Sequence, residues 1–287
     1  MTRASIGQPG YLGAAHAGFE PRGSSRSDLV LNNVTLDRLN DRKRLLASLD
    51  QVRREIDSDG AIQGVDAFTQ QAFGILSSTK LAQAFNLDSE SPELRKRYGI
   101  PTAKVPVKGG GKLLEQFLVA RKIVQAGARC VTLSFSRWPL DRESRGGFNW
   151  DWHSDNFNKA RAMLPLFDQG LHALITDLEE NGMLEDTAVI CWGEFGRTPK
   201  INGGRGRDHW PNVSSCLMAG GGLKTGQVVG STTRLGDSAK DRPVHYREVF
   251  ATLYQLMGID ANNTTLVDAD GRPHYLVDNR RPVHEIL

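Results

Sequence analysis

The sequence predicts an α/β domain in which a mostly parallel sheet is flanked by helices, with a helical layer contributed by the N-terminal part. Three observations carry this reading: helical stripes lead into short apolar strands twice in succession, those strands run into polar loops, and 39% of the 287 residues are hydrophobic, enough for a large core. Residues 1–287 read as a single domain, with an irregular lead-in over 1–28, a mainly helical part over 29–112, and the sheet core with its site loops over 113–287.

The lead-in is rich in Gly, Ser, Pro and Arg and has little periodicity. Over 41–56 the apolar positions Leu45, Leu49, Val52 and Ile56 recur at spacings of 4, 3 and 4, which marks one helix face. A second helix is predicted over 66–85. In SPELRKRYG, Ser91 reads as the cap, Pro92 as the first helical residue and Gly99 as the stop. These stretches hold too few apolar clusters for a core of their own, so they read as a layer on the sheet. After the glycine-rich KVPVKGGGK, a stripe of Leu113, Phe117, Ala120 and Val124 predicts a helix that feeds a strand over 128–135. Leu164, Phe167, Leu171, Leu174 and Leu178 mark the next helix, Gly182 breaks it, and residues 187–192 form the next strand. A third strand over 214–219 runs into Gly220, Gly221 and Gly222, which serve backbone geometry because neither GxGxxG nor GK[ST] follows. A last helix covers 247–257 and closes at Gly258.

Composition excludes several functions. Lys and Arg total 36 against 33 acidic residues, and a net charge of +3 argues against a nucleic-acid or anionic-membrane partner. Cys130, Cys191 and Cys216 sit in apolar runs without paired spacing, so they read as small core residues rather than a disulfide framework or a zinc knuckle. No apolar stretch approaches the roughly 18 residues of a membrane span, and MTRASIGQPGYLG lacks the apolar core of a signal peptide. Nothing in the patterning identifies the oligomer or the compartment.

Chemistry concentrates in two loops that follow strands. The first contains Trp150, Asp151, Trp152, His153, Ser154, Asp155 and Asn156; the second holds Glu194, Arg197, Arg207, Asp208 and His209. In a parallel sheet such loops emerge at one edge, so Asp151, His153, Glu194 and His209 are expected to converge. Mixed carboxylate and imidazole ligands suit zinc, manganese or iron and favour metal-assisted hydrolysis. Glu194 directly follows a strand read as buried, where a carboxylate is costly unless metal-bound or paired, Arg197 being its alternative partner. Asp155 or Asn156 equally suits the cap of the following helix, and His209 a hydrogen-bonded loop histidine. Arg197, Lys200, Arg205 and Arg207, interleaved with Gly203, Gly204 and Gly206, suit a phosphate or sulfate oxyanion; a solvated basic loop is the competing reading. No G-x-S-x-G elbow is present. His172 reads as a partly buried surface residue, and His16, His245, His274 and His284 stay unassigned.

At GEFGRTP followed by GRDHWP, with WDWHSDNF upstream, the sequence closely resembles a large bacterial family, domain of unknown function 1501. The resemblance extends to PGYLG, RLNDRKRLLASLD, DAFTQQAFGILSS, AFNLDSESPELRKRYG, AGGGLKTGQVVGSTT and GRP, nearly the whole chain. That family looks like a branch of the alkaline phosphatase and sulfatase superfamily, whose members use two metals, usually zinc or manganese, on phosphate and sulfate esters. The resemblance implies an alkaline phosphatase-like core, with Asp151, His153 and His209 as ligands of one metal and Glu194 as an acidic ligand of the other. Position 152 is usually Thr in the family and is Trp here, and Phe195 stands where many superfamily enzymes have a histidine. Relatives resemble longer chains whose opening strand carries an acidic ligand and the nucleophile, and many begin with a twin-arginine export signal. This implies a chain that starts after that strand and a periplasmic setting for the full-length relatives.

The expectation that follows is a hydrolase of small-molecule or glycan phosphate or sulfate esters that depends on divalent zinc or manganese. Asp151, His153 and His209 would bind the metal, Glu194 would bind a second metal or orient water, and Arg197 and Arg207 would hold the oxyanion. The alternative is a non-catalytic metal-binding scaffold of the same fold.

Overall fold

The computed structural model describes residues 9–13, 16–19, 35, 37–42, 44–45, 74, 79–100, 111–136, 150–278 and 281–287. The backbone divides into two compact units, Met1–Asn86 with Val267–Arg272 and Leu87–Leu266 with Pro273–Leu287. In the first, a 3-10 turn at Gly10–Leu12 is followed by helical backbone at 37–42 and 44–45 and by α1 (Thr79–Ala84). The helix predicted from residue 41 thus starts earlier, where the Thr35 hydroxyl accepts the Arg38 amide at 3.3 Å. Leu39 is buried and Leu45 is 63% exposed. Leu49, Val52 and Ile56 lie outside the described residues, as does most of the 66–85 stretch and of KVPVKGGGK.

In the second unit, the core cluster draws on α2 (Pro92–Arg97), α3 (Gly111–Gln125) and α4 (Asn156–Glu180). The Ser91 hydroxyl accepts the Leu94 amide at 3.1 Å, Pro92 fills the first position, and Gly99 leaves at a φ of +68°. Tyr98, Ile100, Phe117, Leu118, Ala173, Leu174 and Leu178 form one core cluster. Each fully buried leucine in it contributes roughly 1.5–3 kcal/mol. α3 and α4 meet at Gly170, where an added Cβ would lie 2.5 Å from the Phe117 ring. Leu164 falls off this face and is exposed, while Met163 takes the inward position.

Two charged side chains of α3 and one of α4 are buried with the leucines. Asp177 accepts from the Tyr98 hydroxyl and from Arg121 Nε, both at 2.8 Å, and from the Asn181 amide at 2.8 Å. Arg121 and Lys122 both reach Glu90. Burial first, then the Asp177 carboxylate, keeps the Tyr98 hydroxyl protonated. The ionic groups are therefore partnered, as burial demands.

β1 (Val189–Trp192) and β4 (Cys216–Ala219) pair antiparallel from Val189 opposite Ala219 to Trp192 opposite Cys216. Between them, β2 (Gly196–Arg197) and β3 (His209–Trp210) make a second antiparallel pair. Neither of these two pairs is parallel. The reason is in the connection: residues 193–215 contain no crossover helix, so the chain returns beside β1 in the opposite sense. Residues 128–136 carry no strand, although Leu133 and Phe135 pack on the core cluster and alternate with exposed Thr132 and Ser134. The period of two is there, without a described strand alongside to complete a ladder. Cys130 is accordingly exposed rather than in the core.

Gly220, Gly221 and Gly222 all have positive φ, and a Cβ on Gly220 would meet the Thr187 carbonyl at 2.3 Å, so they serve a close backbone turn. α5 (Tyr246–Leu256) starts on a capping box in which His245 Nδ1 accepts the Arg247 amide and Glu248 accepts the His245 amide. Arg242 clasps both Glu248 and Glu285, and Thr252 accepts the Val283 amide at 2.8 Å, which fastens the C-terminal turn to α5. β5 (Thr265–Val267) and β6 (Pro273–Tyr275) complete the elements. No helix among the described residues is long and apolar enough to cross a membrane.

Candidate functional site

The loop that precedes α4 is anchored by aromatic packing. Trp150 donates from its indole to the Phe135 carbonyl at 2.6 Å and packs on Trp152 and Phe167 with ring centroids 5.2 and 6.1 Å away. Lys159, one turn into α4, donates to the Asp151 carbonyl at 2.8 Å. The second loop is laid against the first by backbone bonds: Arg207 N to Trp152 O, Asp155 N to Gly204 O and Asn156 N to Arg205 O, at 2.9, 3.1 and 3.0 Å. Asp155 and Arg205 both hold positive φ across this seam. Asp155 occupies the N-cap position of α4 in a left-handed conformation, and its carboxylate receives the Asn158 amide instead of a backbone amide.

These ties bring Asp151, His153, Asp208 and His209 together. His153 Nε2 faces His209 Nε2 at 3.0 Å, with ring centroids 4.6 Å apart, and Asp151 Oδ1 lies 3.8 Å from the same His153 nitrogen. On the other side of the ring, His153 Nδ1 meets Asp208 Oδ1 at 3.0 Å. A carboxylate accepts only, so Nδ1 carries the hydrogen, and whenever the ring holds a single hydrogen the lone pair lies at Nε2. His209 is backed by the Phe195 ring, whose centroid is 4.0 Å from its own. The hydrogen bond from His153, then that from Asn202, holds the Asp208 carboxyl below the usual carboxylate range.

Among the described residues, no group of three or more His, Cys, Asp or Glu side chains is arranged to hold a metal ion. What is assembled is a pair of imidazoles nitrogen to nitrogen, with one carboxylate beside them and another behind. Glu194 contributes no contact to this cluster. It is exposed, and it forms neither the ion pair with Arg197 nor a hydrogen bond with a described residue. The tip of β1 is open to water, with Trp192 42% exposed, so the carboxylate escapes the desolvation that its position after an apolar run implies.

Arg197 and Arg207 act as braces. Arg197 donates to the carbonyls of Trp150 and Arg207, and Arg207 donates to those of Thr198 and Pro199, both at 2.6 Å. Charge type alone suggests an oxyanion partner for these groups, while in the fold Arg197 ties the second loop to the first and Arg207 braces the second loop within itself. Arg205 and Lys200 are the exposed cations of the loop. Burial pushes the Cys191 thiol up and that of Cys216 to about 11, so neither offers a thiolate. His172 is exposed on α4.

Two residues of this site carry no separate role in the sequence reading. Asp208 is visible only as the neighbour of His209, and Asn202 only as the start of an Asn-Gly-Gly turn. No curated protein and no solved structure matches the chain. The motifs that frame both loops belong to one sequence family, described as protein of unknown function (DUF1501), whose model matches residues 2–287; the chain is a member of that family.

Proposed function

We propose that the chain is a divalent-cation-dependent hydrolase of phosphate or sulfate esters, of the alkaline phosphatase-like class, with His153, His209 and Asp151 as its cation ligands. The observation that carries this reading is the approach of two imidazole Nε2 atoms to 3.0 Å while His153 Nδ1 is engaged by Asp208. Two lone pairs cannot face each other unless a proton or a cation lies between them. Ligand atoms of one ion with bonds of about 2 Å are separated by roughly 3–4 Å, and 3.0 and 3.8 Å fall within that interval. A carboxylate behind a ligating histidine is also the arrangement that orients metal-bound imidazoles. The donor set, mixed nitrogen and oxygen, fits zinc or manganese.

A bound cation of this kind supplies Lewis-acid polarisation of an ester oxygen. His153 is oriented by Asp208, His209 is held edge and face by His153 and Phe195, and Asp151 adds negative charge. Glu194, exposed just beyond the end of β1, would orient water or bind a second cation. Arg197 and Arg207, each with guanidinium N–H groups beyond those bonded to carbonyls, would hold the oxyanion of a small-molecule or glycan ester.

A second reading has its own support. Because both guanidinium groups bond backbone carbonyls, the fold is equally suited to a scaffold that keeps a cation without turning over an ester. Metal analysis of the purified protein and assays on aryl phosphate and aryl sulfate separate the two. The hydrolase reading expects turnover that needs zinc or manganese and is lost in His209→Ala with the circular dichroism spectrum unchanged. Cation retention without turnover across an ester panel selects the scaffold, and a protein that takes up neither cation sinks both.

A further inference from the structure

The structure assigns Asn202 as the positioning residue of this site: its side-chain amide fixes the Asp208 carboxylate and thereby determines which nitrogen of His153 carries the hydrogen and which presents its lone pair to His209. This rests on the cation reading above for its functional meaning, though not for its geometry. Asn202 Nδ2 donates to Asp208 Oδ1 at 2.9 Å and to the His153 carbonyl at 3.0 Å. Its Oδ1 accepts the amides of Gly204 and Gly206, both at 2.9 Å. An amide side chain has two donors and two acceptor sites, and here all four are used. The orientation of the amide is fixed by these partners, since a flipped group would set its NH2 against two backbone N–H donors.

The four bonds join three parts of the site. Those from Gly204 and Gly206 shape the turn of the second loop, the one to the His153 carbonyl holds the first loop against it, and the one to Asp208 aims the carboxylate at His153 Nδ1. The Asp208 amide is held separately by the Thr198 hydroxyl at 3.1 Å, so the backbone of Asp208 has an anchor of its own and Asn202 acts on the carboxylate. Without the Asn202 donor, Oδ1 of Asp208 keeps His153 as its side-chain partner and loses the restraint on its torsion. The hydrogen on His153 Nδ1 is then no longer specified, and the lone pair at Nε2 that faces His209 is present only part of the time.

Asn202→Asp and Asn202→Ala test this. The aspartate retains the acceptor for Gly204 and Gly206, which keeps the turn, but it can donate neither to Asp208 nor to the His153 carbonyl, and it sets a like charge against Asp208. The tautomer of His153 is read by long-range proton–nitrogen NMR on cation-free protein, at a pH above which its ring nitrogen shifts no longer change, and zinc and manganese affinity is read by calorimetry. Wild type should show one His153 form, protonated at Nδ1. Both variants should show a mixture, with cation affinity about 10-fold weaker, the scale of a lost partner behind a ligand. A single Nδ1-protonated form in a folded Asn202→Asp variant overturns the assignment, whatever the affinities. Wild type with the expected tautomer and no cation affinity instead overturns the metal reading and leaves Asn202 in its role.

Discussion

Gly206 shows how little room the site leaves at the scale of one residue. A Cβ at this position would lie 2.0 Å from the carbonyl carbon and oxygen of His153 and 2.4 Å from the Ser154 nitrogen, all of them backbone atoms that cannot swing aside. Gly206→Ala is therefore expected to push the first loop off the second. It should cost about 1–3 kcal/mol of stability or more, read as a lower denaturation midpoint, and it should part His153 from His209. An unchanged midpoint would show that the two loops separate freely. The proximity of Asp151, His153 and His209 was expected from two loops dense in carboxylate and imidazole, and the fold brings these three together; residue type alone does not separate a ligand from a hydrogen-bonded loop histidine. The place of Glu194 was not legible, since an apolar run does not reveal whether the end of its strand is covered. Nor were the roles of Arg197 and Arg207, because a guanidinium that binds an oxyanion and one that binds backbone carbonyls have the same letter.

Elements were legible where capping chemistry marks them and obscure where pairing decides. Ser91, Pro92 and Gly99 delimit α2, and Gly182 and Gly258 follow α4 and α5, because caps are local. Strand direction is non-local: β1 and β4 read correctly as strands over most of their length, yet their antiparallel register depends on the return of residues 193–215. Helix packing also hides charges that composition places outside. Asp177 is 1% exposed and Arg121 4%, so Asp177→Ala leaves the buried Arg121 Nε and the Tyr98 hydroxyl without their acceptor, with Glu90 as the carboxylate still beside Arg121. The expected loss is about 3–5 kcal/mol in urea unfolding, whereas a loss under 1 kcal/mol would mean that Arg121 finds water. At the other end of the unit, the hydrogen bonds from Arg242 lead in holding the Glu285 carboxyl down, to about 2 from an ordinary 4.5. A depressed folded-state value gives stability that is fully present above the unfolded value and fades as pH falls through the folded one. Wild type should thus lose melting temperature between pH 4.5 and about 2. Glu285→Gln should lack that component of the slope while melting lower at neutral pH, and parallel profiles would show that the clasp adds nothing.

At the scale of the whole molecule, the site and the fold share their supports. The first loop is fixed by Trp150 on the aromatic side of the core and runs directly into α4, and the second is fixed by β2 and β3. Anything that binds His153 and His209 together therefore binds two segments that unfolding would separate, 56 residues apart in sequence. Such a ligand stabilises the native state by mass action, about 2.7 kcal/mol at a concentration 100 times its Kd. A domain of this size gains roughly 2–4 °C per kcal/mol, so zinc or manganese at that excess should raise Tm by roughly 5–10 °C. A chelator should reverse the rise, and magnesium, which favours all-oxygen ligands, should give a smaller one. His153→Ala and His209→Ala should each remove the response while leaving the cation-free Tm close to wild type, since both rings are exposed. A Tm that ignores both cations would mean that a shared proton, not a metal, joins the two imidazoles. A rise that survives both alanine variants would place the cation elsewhere on the molecule.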